Sequence, residues 1–566
     1  MGDTAVDILV YASIAVVAAL NGTSGSLALT AGLLGLLVWQ TARDVDARVF
    51  FTPLALAVGL TCSLAITIPG VVAGTLLDRA QLILPAAVLI SLFVYAISFF
   101  SITVAQSSRH TKVEQTVTIL VFPFLWALSW AVFCRAHSLG RLISWTPLRE
   151  FGAFYPMAAA FGMPGLDFLV ALLATTVVEL LGGLRYIKPP ASPLIDYEST
   201  ERSPLLPSSS PERTGHVSNR SKFRCILLLS FFFIWWSIAG IVASNAVSPR
   251  SDLQSVKIAC VLPHASSSNG RTTLSDYMLE SERVSGRGAK ILQWPEGAIH
   301  LNTIPEKIEF AAGVKSLASR RRAFIGTSYS FMDAEDPERS SILATMFGAH
   351  EEIVYNYAKQ ALVPVAETYR YSPGNRPLPK ESIFVPESRQ THRSAPHGQN
   401  VTISTAICHD TSFDHIVRQA YPASLVLVPS SVYSERVAWT RINQLRANAR
   451  ALSTSYLVCD GKAQGISAFI DSSGNLRYWQ KGPGSFEINA QSSHTHRTAY
   501  GAYGDAGSIA ILFACLLACA GLEVLTRHAF KRLHGLYVQA KEAVKHRFQG
   551  HYGTTQHTLR EEEDLL

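Results

Sequence analysis

Long apolar runs separated by short polar breaks fill the first third of the chain, and a mixed, alternating pattern fills most of the remainder. Stretches of membrane-spanning character fall at residues 6–20, 26–41, 50–75, 82–105, 116–134 and 155–184, then at 224–245 and 505–526. A hydrocarbon core about 30 Å thick takes roughly 20 helical residues. The pattern therefore predicts about eight spans, the first two short of that length. Basic residues set the orientation: Arg43 and Arg48, Arg109 and Lys112, the stretch from Lys188 to Lys222 and the tail after Arg527 fall on one side, which the positive-inside rule makes cytosolic. The loop carrying Arg135, Arg141 and Arg149 falls on the other side. With Trp145, Pro147 and Phe151 it reads as an amphipathic segment in the headgroup layer, its arginines paired with lipid phosphates.

From Ser255 the pattern changes to short β-branched or aromatic runs divided by turns and amphipathic stretches. VKIACVLP, AKILQWPE, RAFIGTSYSF, EEIVYNYAK, VTISTAICHD, SLVLVPSS, SYLVCDG and GISAFIDSSGN read as strands, with a hairpin turn at Asp471 to Asn475. Ser275 to Val284, Ile304 to Ser319, Asp414 to Ala420 and Ala438 to Ser453 read as helices between them. Such alternation predicts a layered α/β fold with mostly buried strands. Residues 187–221, with PPASP and SPLLPSSSPER and few aromatics, have the composition of a disordered tether. The predicted order is a six-span membrane domain (1–186), a cytosolic linker (187–221), a seventh span (222–246), an extracytoplasmic α/β domain (250–495), an eighth span (503–526) and a cytosolic tail (527–566).

Composition agrees with a membrane protein: of 566 residues, 48% are hydrophobic and only 16% charged. The net charge of +7 is accounted for by basic residues flanking apolar segments, so no nucleic-acid partner is implied. Eight cysteines without a CxxC pair argue against a zinc module and against a disulfide scaffold. Cys260 and Cys459, both in predicted strands of a domain placed in an oxidising compartment, admit a disulfide but read first as two buried thiols. Asn21 and Asn400 stand in glycosylation sequons on the predicted outer side. The tail EEEDLL and the linker's ERSPLL have the form of acidic dileucine sorting signals of eukaryotic membrane proteins. They point to sorting adaptors and an endomembrane, vacuole-like or lysosome-like location.

Candidate chemistry sits at strand ends. A thiol attacks as thiolate and needs a base and a cation beside it. Alone, Cys408 in TAICHDTSF would read as a small buried hydrophobe. Two other strands also end in reactive groups: Glu296 in WPEG, where Pro295 and Gly297 force a turn, and Lys359 in YAKQ. Glutamate to take the thiol proton, lysine to stabilise thiolate and oxyanion, and cysteine to carry the acyl group make a complete set for acyl transfer. The backbone N–H of His409 is placed to complete an oxyanion hole; its side chain reads as part of the turn. No phosphate loop or metal-ligand cluster is evident, and no cofactor is inferred.

WPEG, the lysine of YAKQALVPVAE and the cysteine of AICHDTSF resemble, in order and spacing, the signature blocks of the carbon–nitrogen hydrolase (nitrilase) superfamily. The resemblance implies an αββα sandwich with a Glu296, Lys359, Cys408 triad. An α/β domain inserted before a final span is similar to the apolipoprotein N-acyltransferase branch. LVPVAE places Glu367 at the position of a second, supporting acid. Arg450 opens RALS, similar to the family's RALE. Two departures stand out. Where the branch reads CYE this chain has Cys408, His409 and Asp410, an acid one methylene shorter, and VPSSVYSERVAW replaces the NDGWFG block that shapes the acceptor side.

These readings predict a multi-pass N-acyltransferase that takes an acyl chain from phospholipid as a Cys408 thioester and passes it to an amine, a lipoprotein-type acceptor. The alternatives are a membrane-anchored amidase using the same triad, which releases the acyl group to water, and an inactive membrane scaffold.

Overall fold

Strands of alternating or wholly apolar character do form from Ser255 onward, and they stack as two sheets. The computed structural model describes residues 9–18, 30, 32–37, 51–67, 84, 87–100, 103, 116–144, 146, 148, 155–180, 255–264, 272–332, 340–350, 352–364, 366–386, 398–491 and 497–563. In chain order the strands are β1 (Ser255–Cys260), β2 (Ile291–Gln293), β3 (Ile299–Leu301), β4 (Phe324–Phe331), β5 (Ser341–Phe347), β6 (Ile353–Ala358), β7 (Glu381–Pro386), β8 (Gly398–Thr405), β9 (Leu425–Ser430), β10 (Ser455–Asp460), β11 (Ile466–Ile470), β12 (Leu476–Lys481) and β13 (Phe486–Gln491). One sheet has the order β13-β1-β2-β4-β5-β6, with β3 also on β4; the other has the order β12-β11-β10-β9-β8-β7. The inner strands β1, β2 and β4, and likewise β8, β9 and β10, run parallel, and antiparallel pairs close the edges. Parallel strands are buried on both faces, which is why β4, β9 and β10 bury every residue.

The helices are α1 (Phe51–Thr67), α2 (Thr116–Ala136), α3 (Tyr155–Leu180), α4 (Leu274–Gly286), α5 (Ile304–Arg321), α6 (Asp414–Val417), α7 (Glu435–Leu452) and α8 (Ala499–Glu563). Local chemistry starts α4, where Thr273 and Asp276 cap each other's backbone N–H groups. Ile258, Ile291, Met346, Ile403, Leu427 and Leu457 fill the space between the sheets. Phe310, Val314 and Leu317 of α5 and Tyr277 and Val284 of α4 cover one outer face, against Trp294 and Phe347. Ile442, Leu445 and Ala449 of α7 cover the other, against Tyr456 and Val458. The layers are thus α/β/β/α, as expected. The hairpin turn at Asp471 is also present, with Gly474 at φ 79° donating its N–H to the Asp471 carbonyl. β3, β5, β7, β12 and β13 have no counterpart among the strands expected from the sequence.

Helix α7 has a second neighbour. Its Ala447 belongs to the cluster formed by Trp126 and Trp130 of α2 and Leu166 and Leu169 of α3, so α7 lies between the sheet and the apolar helices. The turn Gly140–Ile143 after α2 reaches the same region. Gly140, at φ 54°, approaches so closely that a Cβ there would lie 2.4 Å from the Ser412 carbonyl oxygen. Arg418 donates to the carbonyls of Gly501 and Ala502 at the start of α8.

Three expectations change. Among the described residues, two helices rather than eight are long and apolar enough to cross a membrane, Pro156–Val178 and Ala499–Leu522. The apolar stretches Leu9–Ala18, Thr52–Thr61, Ala87–Phe100 and Leu120–Ala136 cover 10–17 residues each within what is described. Arg141 is not held by lipid phosphates. It is 3% exposed and pairs with Asp167 of α3 at 2.5 Å and Asp414 of α6 at 2.6 Å. Cys260 and Cys459 form a disulfide rather than remaining two thiols, because sheet stacking brings β1 and β10 to a Cα separation of 5.4 Å across the core. Asn400 is exposed on β8. Asn21, the linker, the seventh apolar stretch, ERSPLL and the last residues of EEEDLL lie outside the described residues.

Arg141 is the counter-charge of two buried carboxylates, and removing one member of such a set leaves uncompensated charge. Arg141→Ala is expected to destabilise the fold by about 3–5 kcal/mol, read as a lower denaturation midpoint of the full-length protein in detergent.

Candidate active site

The three strand ends named from sequence converge. Cys408 follows β8 and begins a short 3₁₀ turn, Cys408–Ser412. Its φ is +46°, a left-handed conformation that side chains other than glycine rarely adopt, so the backbone is strained at the nucleophile. Asp410 holds that turn in place. One of its carboxylate oxygens accepts from the N–H groups of Gln360 at 3.1 Å and Ala361 at 2.7 Å, and the other from Ile407 N–H at 3.0 Å and Tyr357 O–H at 2.8 Å. Asp410 therefore ties the turn to the segment that presents Lys359. Burial pushes its carboxyl up to about 6, opposed by these donors, which leaves it ionised at neutral pH. It is a positioning residue.

Lys359 lies just past β6 and is 1% exposed. Its Nζ donates to Glu296 Oε1 at 2.7 Å and to both carboxylate oxygens of Glu367 at 2.8 Å. Burial alone would lower its pKa, but Glu296, the Cys408 sulfur and Glu367 outweigh that and hold the ammonium above its ordinary value. Burial raises Glu367; Lys359 opposes the shift and Glu296 adds to it. Glu296 is placed by the WPEG turn, its backbone N–H donating to the Ser430 carbonyl at the end of β9. Gly297 takes φ 59° in that turn, which accounts for a glycine there.

The thiol has a partner that the sequence reading missed. Arg441 of α7, 4% exposed, places Nη1 at 3.0 Å from Cys408 Sγ and 3.4 Å from Ser430 Oγ. Ser430 Oγ lies 3.8 Å from the sulfur. Burial pushes the Cys408 thiol up to about 11; the Arg441 charge pulls against this, Glu296 adds to it and Lys359 opposes it. The resting nucleophile is thus a thiol that must lose its proton during reaction. One signal for Arg441 was present: it shares a helix face with Ala438, Ile442 and Leu445, where a charged residue is out of place without a buried role.

Two supporting residues take other places. His409 directs its ring to the segment after α2, with Nε2 2.9 Å from the Ser138 carbonyl oxygen and the ring packed edge-to-face with Phe413. Burial, with the Arg441 charge adding to it, lowers the imidazole to about 3, so it is neutral at physiological pH. Arg450 is not brought to the triad: its charged neighbour is Asp471 of the β11–β12 turn. No group of three or more His, Cys, Asp or Glu side chains suited to a metal ion occurs among the described residues.

Two measurements test this geometry. With its pKa near 11, Cys408 should be alkylated by iodoacetamide about tenfold faster per pH unit between pH 7 and 9, followed on the Cys408 peptide by mass spectrometry. Asp410→Asn turns one acceptor oxygen into a donor facing N–H groups and should cost about 1–3 kcal/mol of stability, read by chemical denaturation, together with slower Cys408 alkylation.

No protein-family model matches this chain, and no curated protein matches it. Among solved structures it is similar to amidases from Nesterenkonia sp. One, from strain AN1, carries acrylamide added at its active-site cysteine; it is 20% identical, with 42% of this chain and 94% of that chain covered and a TM-score of 0.33. A second amidase from Nesterenkonia sp. is 20% identical, covering 44% and 94%, at a TM-score of 0.34. A cysteine mutant of the AN1 amidase, described as a member of the nitrilase superfamily, is 21% identical, covering 42% and 92%, at a TM-score of 0.33.

Proposed function

We propose that the chain is a cysteine-dependent N-acyltransferase working at a membrane, with a phospholipid as acyl donor and an amine, such as that of a lipidated protein, as acceptor. In the first half-reaction Glu296 takes the Cys408 thiol proton as the sulfur attacks the ester carbonyl carbon. Lys359 and the His409 backbone N–H hold the oxyanion. Collapse breaks the carbon–oxygen bond, and the proton on Glu296 passes to the departing alkoxide, leaving a thioester on Cys408. In the second half-reaction Glu296 takes a proton from the attacking amine, the carbon–sulfur bond breaks, and that proton returns to the sulfur.

The observation that carries a membrane donor is the contact between the nucleophile's own turn and the apolar helices. His409 meets the Ser138 carbonyl, Gly140 packs on Ser412, and α7 lies against α2 and α3. A long acyl chain could then approach the sulfur along apolar side chains. The Cys260–Cys459 disulfide favours an oxidising compartment for the α/β domain, and exposed Asn400 is open to glycosylation there. The dileucine motifs would be read by sorting adaptors on the opposite side.

Incubating the full-length protein in detergent with radiolabelled phospholipid is expected to give a hydroxylamine-sensitive adduct on Cys408 that Cys408→Ala abolishes. Loss of label on adding a primary amine, with recovery of the N-acyl product, identifies transfer. Release as free acid despite the amine identifies hydrolysis in place of transfer, and no adduct with any phospholipid rejects the acyl-transfer reading.

A further inference from the structure

Arg441 is a buried cation with no carboxylate in contact among the described residues; the buried carboxylate of Asp460 feels its charge, but the Asp460 oxygens accept from the backbone N–H groups of Val432 and Lys462. Its guanidinium is 4% exposed, it makes no ion pair among the described residues, and its Nε has no hydrogen-bond partner. Burying a charge without a contacting counter-ion is costly, so an anion that forms beside this guanidinium is favoured there. The group that Nη1 touches is the Cys408 sulfur, at 3.0 Å, and the other contact, the Ser430 hydroxyl, is neutral. Lys359 cannot supply the same charge undiluted, since Glu296 and Glu367 both bind its ammonium.

We propose that Arg441 is a fourth catalytic residue, whose guanidinium holds the sulfur anion of Cys408 when Glu296 removes its proton and again when sulfur departs from the thioester. The inference rests on Cys408 being the acyl-carrying nucleophile. In acylation the S–H bond breaks, its proton goes to Glu296, and the electron pair left on sulfur faces Nη1 of Arg441 until the carbon–sulfur bond forms. When an acceptor displaces the acyl group, the pair returns to sulfur and meets the same guanidinium before reprotonation. Geometry selects arginine. Nη1 meets both the sulfur and Ser430 Oγ at the end of a planar group that is more weakly hydrated than an ammonium and keeps its charge when buried, whereas a buried lysine is readily neutralised. Helix α7 is enclosed between the sheet and the apolar helices, so the side chain is held in this position rather than drawn into solvent.

The test measures thiolate reactivity without any acyl substrate. Full-length wild type, Arg441→Gln and Arg441→Lys, purified in detergent, are treated with iodoacetamide at pH 8, and modification of the Cys408 peptide is timed by mass spectrometry. The Gln variant is expected to react about tenfold more slowly, as for a thiol raised by one pH unit, and the Lys variant about threefold more slowly. Gln is smaller than Arg, so improved access would raise the rate, and a fall cannot come from a wider opening. A Gln variant that reacts at or above the wild-type rate overturns the proposal. If that variant does not fold, a wild-type rate in the Lys variant overturns it. The phospholipid adduct assay on wild type separates the two ideas: no adduct, with Arg441-dependent alkylation, rejects the acyl-transfer reading and keeps the role of Arg441.

Discussion

A buried ammonium between two carboxylates is the interaction on which this site depends. Lys359 is almost wholly removed from water, and its charge is tolerable because Glu296 and Glu367 stand within 2.8 Å of Nζ. The three groups belong to separate segments: Glu296 follows β2, Lys359 follows β6, and Glu367 lies in the loop after it. Their mutual attraction therefore fixes the distance between strand ends as well as the protonation of the cluster. With Arg441 included, two carboxylates face two cations around a neutral thiol. Moving the thiol proton to Glu296 leaves that balance unchanged, because the negative charge shifts from carboxylate to sulfur without any charge entering from solvent. In a low-dielectric site, a step that rearranges charge is far less costly than one that creates it.

The second constraint is backbone strain at Cys408. A φ of +46° is unfavourable for a cysteine and persists because the surroundings over-determine it. Asp410 provides that restraint with four accepted hydrogen bonds, two of them from Gln360 and Ala361 immediately after Lys359. One carboxylate thus couples the conformation of the nucleophile to the position of the lysine. The departure from the resembled branch, an acid one methylene shorter, falls on a residue that accepts from both segments at 2.7–3.1 Å.

How much was legible in the sequence depends on the range of the interactions involved. Glu296, Lys359 and Cys408 could be read because each sits where a strand meets a turn, a local feature. Glu367 and Asp410 came only through resemblance, since a lone carboxylate in a loop carries no local signal. Arg441 went unread among the arginines of α7, because which of them faces the sulfur depends on how that helix is rotated on the second sheet. The Cys260–Cys459 disulfide spans 199 residues and exists only because the sheets stack. Arg141 misled the reading for a related reason. A basic residue beside aromatic ones in a short loop suits a headgroup layer equally well until Asp167 and Asp414 are seen to enclose it.

Arg141 also explains how an α/β domain with its own core is tied to apolar helices. Asp414 lies six residues after Cys408 and accepts from Arg141 on one oxygen and weakly from Asn448 of α7 on the other. Asp167 completes the set from within α3. The nucleophile's turn, the helix that carries Arg441 and the apolar helix α3 are thereby joined through one buried guanidinium. Hydrophobic contact between α7 and α3 is non-directional and would permit sliding, whereas this charged junction specifies a register. A shift of α3 along α7 would separate Arg141 from one carboxylate or the other, so the position of the apolar helices and the geometry at Cys408 are set by the same set of contacts.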